Sequence, residues 1–360
     1  MKILITGAAG YIGSHICVEI LNRGDQIVLI DNLSNSKIDG LEKVANLTGK
    51  NLTIVGQENN LSLLIHDEMI FFNEDIRDKR VMSKIFSSFD ISAVIHLAGY
   101  KSVGDSLINP LDYYDNNVIG SITLLNEMRK AKVRNIIFSS SASVYGNAKK
   151  LPIKEDFYAD GGINPYAQSK FFIEKILKDW QASDSSLKVT ILRYFNPVGA
   201  HESGLIGENL KDNPSNLMPF ISQVASGRLE KLKIFGKDYP TRDGTGIRDY
   251  IHVVDLAKGH LSALDYLIEA LPDTYIFNLG TGFGTTVLEL IHTFEEVSGK
   301  LVPYEFVDKR LGDVAESWTS TELAKEKLGW TSKYGLKKMC EDTWRWQLKN
   351  SEGLKNVKNN

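Results

Sequence analysis

Tyr166 and Lys170, in the run Tyr166-Ala-Gln-Ser-Lys170, are four positions apart, which on a helix sets a phenol and an ammonium on one face. An ammonium beside a phenol favours the phenolate and draws down a pKa that starts at about 10. A tyrosine tuned in this way takes a proton from a hydroxyl at neutral pH. Taken alone, the same pair also suits a solvated helix surface. A second run adds to it: Asn135-Ile-Ile-Phe-Ser139-Ser-Ser141 reads as a strand that ends in hydroxyls, with Ser141 set to bridge a substrate hydroxyl and Tyr166. Ser143, just beyond, suits a backbone cap.

The N-terminal residues supply a different chemistry. A β-branched run, Lys2-Ile-Leu-Ile-Thr6, leads into Gly7-Ala-Ala-Gly10-Tyr11-Ile12-Gly13, and a helical pattern begins at once. Gly7 permits a tight turn, Gly10 lets the backbone approach a pyrophosphate, and Gly13 allows close packing of helix on strand. The first-turn N–H groups of such a helix face the phosphates. A second apolar run, 26–30, ends at Asp31, where a carboxylate accepts hydrogen bonds from a ribose diol and repels a 2′-phosphate. Strand, turn, helix and acid in this order predict a dinucleotide site for NAD rather than NADP.

The elements that position these groups alternate. Short apolar runs at 69–72, 93–97, 135–138 and 189–192 read as buried strands, with helical patterns near 79–89, 112–132 and 165–180 between them. This rhythm predicts an α/β fold with a doubly wound parallel sheet of the Rossmann type, whose ligands bind beyond the carboxyl ends of the strands. The residues following each strand are therefore the ones to watch: Gly7, Asp31, Asp75, Ala98 to Lys101, Ser139 to Ser141, and Phe195 to Pro197. After Asn196 the rhythm weakens into Gly/Pro-rich loops, a strand at 232–235 and helices near 253–270 and 285–298. The expected division is a dinucleotide-binding domain over 1–195, with a return segment near 236–260, and a smaller mixed α/β substrate domain over 196–350. Residues 37–68 read as a surface excursion of helix and hairpin, and 351–360 as a frayed tail.

Composition narrows the class. At 360 residues and 42% hydrophobic content the chain buries one large core, or one large and one small. A net charge of −3 leaves no basic footprint for nucleic acid or an anionic membrane surface. No apolar run approaches the length of about 20 residues that spans a bilayer. No basic-then-apolar leader precedes the first strand. Two cysteines, Cys17 and Cys340, in helical patterns read as buried thiols of a reducing cytosol. A cytoplasmic protein without a metal is expected, in which the Asn-x-Ser/Thr triplets at Asn46, Asn51 and Asn60 are irrelevant.

With these motifs in place the chain resembles the extended short-chain dehydrogenase/reductase family, and within it the nucleotide-sugar 4-epimerases. The resemblance covers nearly the whole length: the glycine turn, Asp31-Asn32-Leu-Ser-Asn35, His96-Leu-Ala98-Gly99, Tyr113-Tyr-Asp-Asn116, the 139–146 and 166–170 runs, Leu192-Arg-Tyr-Phe-Asn-Pro-Val-Gly-Ala200, Asn216-Leu-Met-Pro219, 236–246, Arg248-Asp-Tyr-Ile-His252 and Arg310-Leu-Gly-Asp313. The late motifs are the specific ones, because dehydratases, decarboxylases and reductases share the first half.

The resemblance implies a hydride cycle on tightly bound NAD. Tyr166 takes the proton from a sugar 4-OH, Lys170 lowers the tyrosine pKa and holds the nicotinamide ribose, and Ser141 bonds the developing 4-keto oxygen. It implies cofactor contacts at Gly7, Gly10, Tyr11, Ile12, Gly13, Asp31, Asn32, Asn35, Asp75, Ile76, Ala98, Gly99, Lys101, Asn116, Ser139 and Phe195. For a UDP-sugar it implies Lys101, Asn196, Asn216, Leu217, Leu232, Phe235, Arg248, Arg310 and Asp313, the two arginines suiting a diphosphate through charge-assisted bonds. A homodimer through the helices near 112–132 and 165–180 is also implied.

Two departures stand out. The 37–68 excursion is longer than the family pattern, and Ser317 occupies a position where hexose-restricted members carry a tyrosine against the sugar. Members with small residues there also accept N-acetylhexosamines. Three other readings compete: a 4,6-dehydratase or decarboxylase of the same family, a non-catalytic NAD-sensing regulator, and a structural interaction module. Dehydratases resemble Thr-Asp-Glu where this chain has Ser141-Ala142-Ser143, so the acid and base of elimination are missing. A regulator typically loses Tyr166, Lys170 or Ser141, and an interaction module has no use for the intact motifs around Arg248 and Arg310.

Overall fold

In the computed structural model, whose described residues are 1–56, 61, 64, 66–209, 216–310 and 313–350, seven strands from residues 2–194 and one from 274–279 form an eight-stranded parallel sheet. Its strands are β1 (Lys2–Thr6), β2 (Gln26–Ile30), β3 (Leu52–Ile54), β4 (Met69–Phe72), β5 (Ala93–His96), β6 (Asn135–Ser141) and β7 (Lys188–Tyr194). Outside it run β8 (Asn196–Val198), β9 (Leu232–Phe235) and β10 (Ile247–His252), before β11 (Thr274–Leu279) rejoins its edge. The spatial order is β11-β7-β6-β5-β1-β2-β4-β3. From β1 the chain winds one way through β2 and the other through β5, so the crevice at their carboxyl ends is the switch point where such sheets bind ligands.

The sheet is buried on both faces, as its continuous Ile/Val/Leu/Phe runs require. Helices Tyr11–Asn22 and Val253–Glu269 cover one face, together with Leu41 and Val44. Helices Lys79–Ser88, Gly120–Ala131 and Pro165–Ser183 cover the other through Met82, Leu124, Met128, Ile173 and Leu177. The start of the last of these is set locally: the Asn164 side chain accepts the Ala167 N–H at 2.9 Å and Pro165 takes the first helical position. Tyr166 is thereby held in the first turn, at the carboxyl end of β6. Beyond the sheet, β12 (Gly284–Thr286), β10 and β14 (Glu316–Ser317) pair side by side, β8 runs along β10, and β13 (Tyr304–Val307) pairs with β9. Helices Leu217–Ala225, Val287–Ser298 and Leu336–Lys349 close this smaller core.

Several expectations change. In the 37–68 excursion, helix Asp39–Thr48 ends at Gly49 (φ +66°) and is followed by β3, which pairs with β4 in parallel register, Leu52 opposite Met69; it is an edge strand, not a hairpin. Residues 57–60, 62, 63 and 65 of that excursion, and the tail 351–360, lie outside the described residues. The helix expected near 112–132 is interrupted: Pro110–Tyr113 and Gly120–Ala131 are α-helical, but Tyr114–Ile119 is π-helical. The wider turn buries both Asn116 and Asn117, a feature common at functional sites. Within 236–260, Ile251, Leu256 and Ala257 already pack in the core of the large sheet, and helix Val253–Glu269 carries the chain on to β11. Among the described residues no helix is long and apolar enough to cross a membrane.

Candidate active site

At the carboxyl end of β1 the backbone turns at Gly7 with φ +71°, and a Cβ there would stand 2.7 Å from the Ala98 nitrogen. Only glycine lets this turn touch the segment after β5. A Cβ on Gly13 would meet the Gly7 carbonyl at 2.4 Å, so helix Tyr11–Asn22 lies directly on the strand end. Gly10 caps that helix with no side-chain hydrogen bond, and the first turn holds no acid. A Cβ on Gly10 would meet only the Gly7 carbonyl, at 3.3 Å, which leaves open space above it. Unpaired first-turn N–H groups beneath open space, at the positive end of a helix, fit the diphosphate of a dinucleotide.

The cleft above this turn is lined by every residue expected on the cofactor side except Ser139 and Phe195. The Phe195 ring packs with Val144, Tyr145 and Ile153, and its neighbour Tyr194 lines the cleft. The Ser139 hydroxyl pairs with His260 at 2.8 Å. Asp31 has more to do than expected: its carboxylate accepts the Ala9 N–H (3.0 Å), the Leu33 N–H (2.9 Å) and the Ser36 hydroxyl (2.9 Å). These donors shape the loop around the carboxylate while Asp31 still lines the cleft. Asn32 donates to Asp75 at 2.8 Å, and the Arg77 guanidinium beside Asp75 pulls that carboxyl down to about 2.

Tyr166, Lys170 and Ser141 meet at the end of β6. The Lys170 ammonium is buried, donates to the Ser139 carbonyl at 2.8 Å and lies 4.9 Å from the centre of the Phe138 ring. Burial lowers its pKa to about 8, against the opposing charge of Glu174. The expected lowering of the tyrosine by the lysine is absent: burial pushes the Tyr166 phenol above its ordinary value, and only a hydrogen bond with Ser141 works the other way. The reason is geometric, since the ammonium is turned to the Ser139 carbonyl. Ser141 also caps the turn Ala142–Tyr145, accepting the Ser143 N–H (3.2 Å) and hydroxyl (2.9 Å), so it combines the capping role with the position beside Tyr166.

Across the cleft, Lys101 pairs with Glu208 at 2.7 Å, and Asn216 donates to the same carboxylate oxygen at 3.2 Å. Glu208 thus joins two expected ligand contacts, and no spacing motif points to it. Asn117 was also missed: its side chain accepts the Tyr100 N–H at 2.7 Å and donates to Ser169 at 2.9 Å, tying the 98–101 segment to the Tyr166 helix. Its signal is adjacency to Asn116, which donates to it at 2.9 Å.

Apart from Lys101, Ser141 and Tyr166, the expected substrate contacts lie beyond the large sheet. Ser317 of β14 stands in register with Arg248 of β10, and Asn196 of β8 with Tyr250. Arg248 lies 3.7 Å from Asp313, and the Arg310 guanidinium stacks 3.7 Å above the Phe235 ring. The Leu232 side chain is buried in the small core, and Leu217 packs against it. Buried Asp249 accepts N–H groups from Thr281, Gly282 and Thr319, which binds β10 to the turn after β11 and to the end of β14. Among the described residues no group of His, Cys, Asp or Glu is arranged to hold a metal.

Comparison with known proteins agrees with this architecture. The family model described as GDP-mannose 4,6 dehydratase matches residues 4–343. The UDP-glucose 4-epimerase of Bacillus subtilis (strain 168) is 50% identical over 358 residues, 99% of this chain and 100% of that protein. The crystal structure of the Bifidobacterium longum UDP-glucose 4-epimerase in complex with NAD+ and UDP superposes with a TM-score of 0.91 at 42% identity, over 98% of this chain and 100% of that one. The UDP-Glc/GlcNAc 4-epimerase of Campylobacter jejuni gives 0.80 at 33% identity, over 97% and 99%. The family model carries a dehydratase name, whereas the full-length relatives carry the epimerase name. The chain belongs to the extended short-chain dehydrogenase/reductases and, within them, to the UDP-glucose 4-epimerase family.

Proposed function

We propose that this protein catalyses the NAD-dependent 4-epimerisation of UDP-hexoses, interconverting UDP-glucose and UDP-galactose and, through Ser317, also UDP-N-acetylglucosamine and UDP-N-acetylgalactosamine. The observation that carries the reading is the meeting of Tyr166, Lys170 and Ser141 beside a glycine turn that fits a dinucleotide diphosphate. When bound, NAD supplies a hydride acceptor and donor for sugar C4. Tyr166 accepts the proton of the 4-OH as the C4–H bond breaks, and returns it when the 4-ketopyranose has turned over in the cleft. Ser141 holds the oxygen during both steps and its hydrogen bond favours the phenolate, while the Lys170 ammonium holds the cofactor ribose. Arg248 and Arg310 hold the nucleotide diphosphate while the sugar turns. The cycle leaves the cofactor as it began, so it stays bound.

The dehydratase reading takes support from the name of the family model. It lacks its chemistry here, because Ala142 and Ser143 carry no carboxylate for elimination. We further propose a cytoplasmic homodimer. Ile108, Leu111 and Ile119 on the segment before helix Gly120–Ala131, and Phe172 on the Tyr166 helix, are exposed large apolar side chains, and a second copy of the same face would cover them. The deciding experiment is turnover of UDP-galactose and UDP-N-acetylgalactosamine by the purified protein. Conversion of both supports the reading; conversion of UDP-galactose alone removes the N-acetylhexosamine part, and elimination of water instead of inversion overturns the whole.

A further inference from the structure

The middle serine of the 139–141 run has no part in the chemistry above. Ser140 is fully buried and donates at 2.6 Å to Oε1 of Glu174, one helical turn past Lys170. The same carboxylate takes Arg193 in a two-pronged pair, Nε at 3.0 Å and NH2 at 2.6 Å. Ser140 and Arg193 are register partners on β6 and β7, so two adjacent strands grip one helical side chain. Arg193 in turn lies 4.7 Å from the Tyr145 ring centre, and the Tyr145 hydroxyl donates to Asn278 of β11 at 2.7 Å. Glu174, Ser140 and Arg193 lie outside the cofactor cleft. A buried ion pair of this kind is weak evidence of stability, since an apolar pair of like volume often does as well.

We propose that Glu174 is a positioning residue for Lys170. Three consecutive residues of β6 address three positions of one helix: the Ser139 carbonyl takes Lys170, the Ser140 hydroxyl takes Glu174, and Ser141 reaches Tyr166. Glu174 locks that register and supplies a negative charge one turn from an ammonium that is otherwise surrounded by apolar and neutral groups. On its own helix Lys170 faces Tyr166 and Glu174. From β6 it faces Phe138 and the Ser139 carbonyl, and from β5 it faces His96, whose charged form it disfavours. From β7 come Tyr194, coupled to Tyr166, and Arg193, which Glu174 neutralises. His260 meets the Ser139 hydroxyl at 2.8 Å and the Tyr194 ring at 6.2 Å between centroids. Among the charged groups here, Glu174 is the one that favours the lysine charge.

This inference rests on the reading of Tyr166 and Lys170 as the proton-transferring pair, and the test separates the two. Wild type, Glu174→Gln, Glu174→Asp and the paired Glu174→Met/Arg193→Met variant are compared in kcat against pH and in NAD retained per chain after gel filtration against pH. Glu174→Gln and the paired variant are expected to move the basic limb of both profiles toward acid by about one unit, while Glu174→Asp restores it. A limb left in place in both variants, with only the melting temperature lowered, reduces Glu174 to a structural ion pair and overturns the proposal. Should Glu174→Gln fail to fold, the paired variant, which leaves no buried charge uncompensated, decides. Tyr166→Phe is run alongside: if it keeps wild-type turnover the catalytic reading fails, and the retention profile alone then decides the role of Glu174.

Discussion

Ser317 stands directly opposite Arg248 where β14 pairs with β10 in parallel. The half-buried residue expected at the sugar and the cation expected at the diphosphate are therefore fixed by one pair of strands, which Asp249 ties to the neighbouring turn. On the proposed reading, a larger side chain at position 317 reduces the space for a C2 substituent. Ser317→Tyr is expected to lower kcat/KM for UDP-N-acetylgalactosamine by about 10–200-fold, the usual worth of a steric discrimination, and to leave UDP-galactose near the wild-type value. Equal loss on both substrates in steady-state assays would refute the gatekeeping role.

The helix Tyr11–Asn22 N-terminus, which has no side-chain cap and no first-turn acid, and the proposed closed redox cycle together predict retained cofactor. Acid or heat denaturation of the purified protein is expected to release about one NAD(H) per chain and no NADP, measured by enzymatic cycling of the supernatant. An empty protein that needs freely exchanging cofactor would contradict this.

Tyr166→Phe keeps the ring and removes the proton carrier, so turnover should fall by about 10²–10⁴-fold with the melting temperature preserved. Lys170→Ala should lower turnover and also the NAD content, since the ammonium serves both. Chemical assay of turnover beside NAD content in the same preparations separates the two effects.

Buried neutral histidines predict acid lability. Burial holds His15 and His96 down to about 3 and His260 to about 4, and His96 is bonded through both nitrogens, to Thr6 at 2.7 Å and Ser121 at 2.8 Å. In the unfolded chain each takes up a proton at about pH 6.5. Between these limits the unfolded state binds more protons, so stability falls as the pH drops from about 6.5 toward 4. Urea midpoints at pH 7, 6, 5 and 4 should decline in that order; a flat series would show that these rings are protonated in the fold.

Leu111 is 78% exposed and Ile108 77% exposed. If this face meets a second copy, Leu111→Asp should convert a dimer to a monomer in sedimentation velocity, with the far-ultraviolet circular dichroism unchanged. An unaltered sedimentation coefficient would place the dimer contact elsewhere.

Much of this arrangement is legible from local pattern. The Gly7–Gly10–Gly13 turn, the strands 69–72 and 232–235 and the helices following Asp78 and Asn164 rest on short-range sterics, apolar period and caps, which neighbouring residues announce. What was not legible depends on distant chain. The π-turn at Tyr114–Ile119 carries no breaker residue. The parallel pairing of β3 depends on β4, and the late return of β11 depends on β7. Asp31 reads as a free acceptor until the Ala9, Leu33 and Ser36 donors are placed around it. The tyrosine–lysine spacing likewise says that the two groups share a face, but burial and the Ser139 carbonyl decide their charge.

The position of β11 at the edge of the sheet bears on how the protein is made. As the chain leaves the ribosome, the sheet can assemble from β1 to β7 with the outer edge of β7 open, and Val189 to Tyr194 wait for Thr274 to Leu279. An open edge on a strand with a buried apolar run is a template for pairing with other chains. A protein truncated after residue 195 would leave that edge open permanently. Completion of the large sheet thus has to follow synthesis of β8 to β10 of the smaller unit, and the two parts of the chain mature together.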